Sequence, residues 1–388
     1  MILVGNTCHN SIFKKSRLIG TFLFSLLFYS CVDNTNTNGR KSLEKDESSR
    51  KNSLESNFYT IEGFAQGTTY QIKYEASHDL KIKREIDSVL QDFDWHLSTY
   101  LDSSLISDFN NADVQFYCQI VSRIIANCFL ESREIYEVTD GAFNPAVYPL
   151  VDFWGFYDMA NKEHQPTRQE IDSILKFVVF DSTAIQLIQN KWVDTDKRMV
   201  NELCKVDARL KLDFNAIAQG FSVDLIGFFL NDRGVENYMV ELGGEVKCKG
   251  ENAYGNLWKI GIDRPTDEAS ASARVLNAAV LLDNKGLATS GNYRKFYELD
   301  GVKYAHTIDP RSGAPVSHSL LSTTVVSEKA SVSDAYATAF MVLGVEKTKR
   351  FLEKHEELNL EVYLIYADSD GEFVTWMNSG MKEIIEEF

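Results

Sequence analysis

From Phe58 onward, short runs rich in β-branched and aromatic residues alternate with longer amphipathic stretches, and the alternation keeps no regular order. This irregularity is the strongest constraint on the fold, because a doubly wound parallel sheet demands strict strand–helix–strand succession. Alternation of two predicts strands at 58–61 and 69–74, around a glycine-containing bend at 63–67. Further strands are expected at 238–247, 258–262, 275–282, 296–299, 323–327, 360–367 and 373–377. Helical spacing predicts helices at 80–95, 114–138, 217–230, 333–343 and 346–355. Another helix starts at Thr167-Arg168-Gln169-Glu170, a capping box directly after Pro166. With no internal repeat and no long linker, residues 58–388 read as α+β: a single intertwined globular domain with mixed or antiparallel sheets and flanking helices.

The preceding residues have a different character. Lys14, Lys15 and Arg17 lead into an apolar run at 18–30, which has the length of a signal peptide. The run ends at Cys31, and Phe28-Tyr29-Ser30-Cys31 resembles the lipobox of bacterial lipoproteins, with Cys31 as the lipidated residue. Residues 1–30 are therefore expected to be a lipoprotein signal peptide. Residues 31–57, almost without apolar side chains, are expected to be a flexible tether. This reading predicts a membrane-anchored, extracytoplasmic protein on the periplasmic side.

A formal net charge of −16 without a basic stretch argues against unassisted nucleic-acid binding. Beyond Cys8 and Cys31 there remain Cys118, Cys128, Cys204 and Cys248, with no C-x-x-C spacing and no nearby histidines. A zinc site or a dense disulfide framework is not expected. Cys118 and Cys128 fall on one predicted helix and cannot pair there, so buried free thiols are the expectation.

Three segments carry chemistry. In Ser333-Asp334-Ala335-Tyr336-Ala337-Thr338, Asp334 and Thr338 are four residues apart and share a helix face. A carboxylate and a hydroxyl so placed are hard oxygen donors suited to Mg²⁺, although the same Asp334 also suits a helix cap. Residues 212–224 read as a strand-like run ending at Asp213, a turn of small residues and a helix start; this is either a ligand-facing turn or an ordinary connection. His306 lies between Tyr304 and Asp309-Pro310, and a neutral imidazole there can take a proton from a hydroxyl. Ser98-Thr99-Tyr100 offers an aromatic face, Asp140-Gly141-Ala142-Phe143-Asn144 a tight turn, and Leu242-Gly243-Gly244-Glu245 close backbone approach.

In order, Gly67-Thr68, Ser98-Thr99-Tyr100, 140–143, Trp154-Gly155-Phe156, 213–220, Leu242-Gly243-Gly244, Ser290-Gly291-Asn292-Tyr293, 306–313 and 334–338 resemble the FAD:protein FMN transferase family, the ApbE-type flavin-trafficking lipoproteins. The resemblance spans 67–344 and implies an ApbE-like, T-fold-related architecture. It also implies Mg²⁺-dependent transfer of FMN from FAD to a Thr or Ser hydroxyl of an acceptor protein of the redox-pump subunit type, with release of AMP. Its alternatives are an FAD pyrophosphatase giving FMN and AMP, and a non-catalytic FAD-binding lipoprotein. By carry-over, Gln66, Tyr100, Ala142, Phe143, Asn144, Asp213, Gln219 and Ile308 would bind FAD. Asp334, Thr338 and the Ala216 carbonyl would hold Mg²⁺, and His306 would help deprotonate the acceptor. The chain departs from the family pattern at Gln66, where Met is often found, at Asn144, where Asp is frequent, and at Gln219, where Lys or Glu is common.

Overall fold

Two-residue alternation of apolar side chains, matched from strand to strand, builds a central eight-stranded sheet. Its order is β1 (Asn57–Ala65), β2 (Thr68–Ala76), β6 (Tyr238–Leu242), β7 (Glu245–Lys249), β10 (Gly286–Gly291), β15 (Leu320–Ser327), β16 (Glu361–Ala367) and β17 (Phe373–Met377). Every neighbouring pair is antiparallel. The structure is a computed structural model and describes residues 57–156, 166–193, 198–265, 276–292, 296–299, 302–305 and 307–388. The signal and tether, Cys31 among them, and His306 lie outside the described residues.

The two faces of the sheet are covered differently. On one face Val246, Cys248, Leu287, Val326 and Ile365 pack against Trp258 and Val280. Those partners belong to a second sheet of β8 (Trp258–Asp263), β9 (Leu276–Leu282) and β18 (Ile385–Glu387), adjoined by α9 (Ser379–Ile384). On the other face Tyr70, Ile72, Val240 and Leu242 meet α1 (Lys83–Leu97) and α6 (Asn215–Asn231) through Ile86, Leu90, Val223 and Ile226. Further along that face Val325, Val362 and Leu364 meet Ala337 and Phe340 of α7 (Ala330–Leu343). Both α6 and α7 are apolar on nearly all sides, which is how a helix buried between a sheet and other helices reads.

Around this core lie α2 (Leu105–Asn111), α3 (Arg123–Val138), α4 (Tyr148–Phe153), α5 (Arg168–Leu175) and α8 (Val345–Lys354). A three-stranded sheet orders β3 (Tyr117–Val121), β5 (Arg198–Lys205) and β4 (Ile185–Val193). Two short ribbons complete it, β11 (Phe296–Leu299) with β12 (Val302–Ala305) and β13 (Ile308–Asp309) with β14 (Ala314–Pro315). The unit from Ser53 to Phe388 is one α+β domain.

Five sequence expectations need correction, the first being the single strand expected at 238–247, which is the antiparallel hairpin β6–β7 turning at Gly243-Gly244. The helix expected over 114–138 is strand β3 followed by helix α3, because Ser122 caps the helix by accepting from the Ile125 amide at 3.3 Å. Strand β3 pairs with β5 and sets Cys118 directly opposite Cys204, and the two form a disulfide instead of remaining free thiols. Cys128 and Cys248 are buried free thiols, as expected. The run before Asp213 is not a strand: the buried Asn110 side chain bonds both Leu212 N–H and C=O at 2.7 Å, replacing ladder partners. Helix α7 begins at Ala330, so Asp334 lies inside the helix and is not its cap. The capping box at Thr167 is present as read.

Candidate active site

Helices α6 and α7 cross so closely that only glycine fits at the contact. A Cβ on Gly220 would lie 2.3 Å from the Ala330 carbonyl oxygen, and one on Gly286 of β10 would lie 2.2 Å from the Ala330 nitrogen. Small side chains in β10 therefore serve helix packing: Gly286, Ala288 and Ser290 alternate onto the side that α7 covers. One turn after Gly220, the buried Asp224 carboxylate accepts from Ala330 N–H, Ser331 N–H and the Ser331 hydroxyl, each at 3.0 Å. It caps α7 from the neighbouring helix, a role that own-chain cap signals do not reveal.

This seat brings Asp334 onto the first turns of α6. The Gly220 amide, which helix geometry directs toward Ala216, donates to Asp334 Oδ2 at 3.1 Å. Asp334 is 6 % exposed, and burial pushes its carboxyl up to about 7 against the pull of that amide. Thr338, one turn further, has its hydroxyl 3.4 Å from that of Ser290. Glu245, the first residue of β7, lies opposite Leu242 in the ladder and so on the helix-covered face. It is 7 % exposed, and burial, then the Asp334 charge, raise its carboxyl well above the ordinary range. Its Oε2 has no hydrogen-bond partner among the described residues. The sequence reading took the Gly-Gly-Glu segment for its backbone alone.

The other residues singled out from sequence fall into two groups. Gln66 adopts a left-handed φ of 52° between β1 and β2 and donates to the Ser222 hydroxyl at 2.6 Å. It also bonds Asp94 through both backbone and side chain, which ties the hairpin to α1 and α6. Gln219 covers the Gly243-Gly244 turn; a Cβ on Gly243 would lie 2.9 Å from its Nε2. Asp213 is held by its amide to the Pro145 carbonyl at 2.7 Å and accepts from Asn215 N–H at 2.7 Å. Asn215 in turn donates to the Thr99 hydroxyl at 3.1 Å, joining the loop of Tyr100 to the start of α6. Tyr100 is 75 % exposed, and its hydroxyl is raised by local desolvation and then by the Asp213 charge. An exposed aromatic ring offers a face on which a flat group can stack.

The remaining candidates turn inward. Ala142 and Phe143 belong to the main core, and Asn144 caps the turn at Pro145–Val147 while donating to the Val178 carbonyl at 3.2 Å. Ile308 is buried with Leu150, Trp154, Ile171 and Val178. The side chains of Ala142, Phe143 and Ile308 are thus taken up by core packing. Beside them a cavity of about 330 Å³ is lined by Asp140, Asn144 and Arg311, among others; Asp334, Thr338 and Glu245 do not line it. Arg311 is occupied there by a two-pronged bond to Asp309 at 2.8 and 2.9 Å.

A buried carboxylate and a half-buried hydroxyl, one turn apart on α7 at its crossing with α6, are hard oxygen donors of the kind that suits a divalent cation. A model of the ApbE family matches residues 66–364, and the chain belongs to that family. It is 35 % identical over 338 residues to an FAD:protein FMN transferase of Haemophilus influenzae, covering 86 % of this chain and 93 % of the relative. It is 31 % identical over 329 residues to the FAD:protein FMN transferase of Escherichia coli K12, covering 84 % and 88 %. The solved flavin transferase ApbE from Vibrio cholerae superposes with a TM-score of 0.72 at 31 % identity, over 85 % of this chain and 99 % of that one.

Proposed function

We propose that this protein is a Mg²⁺-dependent FAD:protein FMN transferase that moves FMN from FAD to a Thr or Ser hydroxyl of an acceptor protein. The observation that carries the reading is the Asp334–Thr338 pair on α7, seated against the first turns of α6 in a chain similar to FAD:protein FMN transferases. The donor set fits the cation. Asp334, Thr338 and the Ala216 carbonyl are few, hard oxygen ligands, which leave positions for phosphate and water as Mg²⁺ prefers. Bound there, Mg²⁺ neutralises charge on the pyrophosphate.

The chain's own residues do the rest by positioning. Tyr100 supplies a face for the isoalloxazine, with Gln66 at its edge. Ala142, Phe143, Asn144, Asp213, Gln219 and Ile308 line the remainder of the FAD pocket. His306 accepts the proton of the acceptor hydroxyl as that oxygen attacks the FMN-side phosphorus. The bond to the bridging oxygen breaks, and AMP leaves with that oxygen. The acceptor is a protein of the redox-pump subunit type.

The protein works outside the cytoplasm, anchored through lipid on Cys31 and spaced from the membrane by the tether at 31–57. The signal-like start supports this, and so does the Cys118–Cys204 disulfide, since such bonds persist in oxidising compartments. The test is mass spectrometry of a Thr-bearing acceptor peptide after incubation with protein, FAD and Mg²⁺. An FMN phosphoester adduct is expected. An unmodified peptide under conditions where a relative modifies it refutes the reading, and FMN with AMP but no adduct identifies a pyrophosphatase.

A further inference from the structure

We infer that Glu245 is a further ligand of the cation site, binding the metal through the carboxylate oxygen that the folded chain leaves without a partner. The inference rests on the proposed cation site at Asp334 and Thr338.

Three observations carry it. Glu245 stands on the helix-covered face of β7, a central strand, and α7 packs over both β7 and β10. It is more than nine-tenths buried, and its Oε2 has no hydrogen-bond partner among the described residues. The Asp334 carboxylate is the foremost charge acting on it, and among the described residues neither acid has an ion-pair partner. Nearby Lys247 and Lys285 are already engaged, with the Glu328 carbonyl and with Glu361 respectively. Natural interiors keep buried acids only where a donor, a cation or a metal compensates them. Two buried acids close enough to feel each other's charge, one of them with an unpartnered oxygen, have the chemistry of a hard divalent-cation site. Glu245 enters from the sheet, while Asp334 and Thr338 enter from α7 and Ala216 from α6, so the ligands approach from different elements. Such an arrangement suits an ion that demands a near-regular shell better than a one-helix pair does.

The test measures Mn²⁺ binding to the full-length protein in detergent, without FAD, by electron paramagnetic resonance, for wild type, Glu245→Gln and Asp334→Asn. Glu245→Gln should weaken Mn²⁺ about 10- to 100-fold, the scale at which metal-site residues act. The metal-free variant should melt no lower than wild type, because a neutral amide replaces an uncompensated acid. Wild-type Mn²⁺ affinity in Glu245→Gln, with affinity lost in Asp334→Asn, overturns the inference and leaves the cation site standing. No Mn²⁺ binding by wild type, or equal binding by Asp334→Asn, removes the cation site and this inference with it. Should Glu245→Gln fail to fold, Glu245→Asp keeps the charge at shorter reach. It must then weaken Mn²⁺ about tenfold, and unchanged affinity overturns the inference.

Discussion

Replacing Asp334 by Asn should make the metal-free protein more stable at pH 8 and leave it nearly unchanged at pH 4. In the folded chain burial pushes the Asp334 carboxyl from 3.8 up to about 7. Between these values the unfolded chain is ionised while the folded chain holds its proton. Folding must then take up a proton, and stability falls as pH rises through that window. Below 3.8 both states are protonated and the penalty vanishes; above about 7 it is complete. Roughly three pH units at ~1.4 kcal/mol each set an upper limit of about 4 kcal/mol on the gain. Asn keeps an oxygen for the Gly220 amide, so the bond at 3.1 Å is retained and charge is the main change. The assay is urea unfolding in chelator at pH 4, 6 and 8. The midpoint difference should grow from pH 4 to 7 and then level off, and added Mg²⁺ should reverse the order at pH 8. A pH-independent difference, or a wild type that is the more stable of the two at pH 8 without metal, would falsify the argument.

Gly220→Ala drives a methyl into the Ala330 carbonyl; it should cost about 1–3 kcal/mol by overpacking and depress FMN transfer further, which thermal melts and transfer rates will report. Replacing Cys118 and Cys204 together by Ser removes a bridge across 86 residues and should lower stability by about 2–5 kcal/mol, read as a lower urea midpoint that reductant no longer shifts. Tyr100→Ala removes an exposed ring and should weaken FAD binding roughly 3- to 10-fold, from an aromatic contact of about 0.5–1.5 kcal/mol, with the melting temperature unchanged; equal flavin affinity by fluorescence titration contradicts the stacking role.

Features that depend on neighbours along the chain were legible from the residues. Asp334 and Thr338 share a helix face by spacing alone, and Thr167 with Glu170 declare a helix start whatever packs against it. Features that depend on distant partners were not. The apolar spacing of 114–138 runs without a break across Ser122, so strand β3 merged with helix α3, and the misplaced Cys118 hid its pairing with Cys204. Asp224 looks like one more acid on a helix until α7 arrives with its unpaired amides. Glu245 acquires meaning only when β7 takes a central place in the sheet and Asp334 arrives from another element.

Ala330 is held between two glycines and fastened by Asp224, so α7 can neither slide along α6 nor roll on the sheet without collision. The oxygens it carries are thus spaced before any ion or nucleotide arrives, and little conformational freedom remains to be lost when one does. Tyr100, by contrast, stands exposed in a loop outside any helix or strand. In the proposed reaction this gives the metal ligands of α7 a fixed seat, while the ring of Tyr100 stands free of that packing.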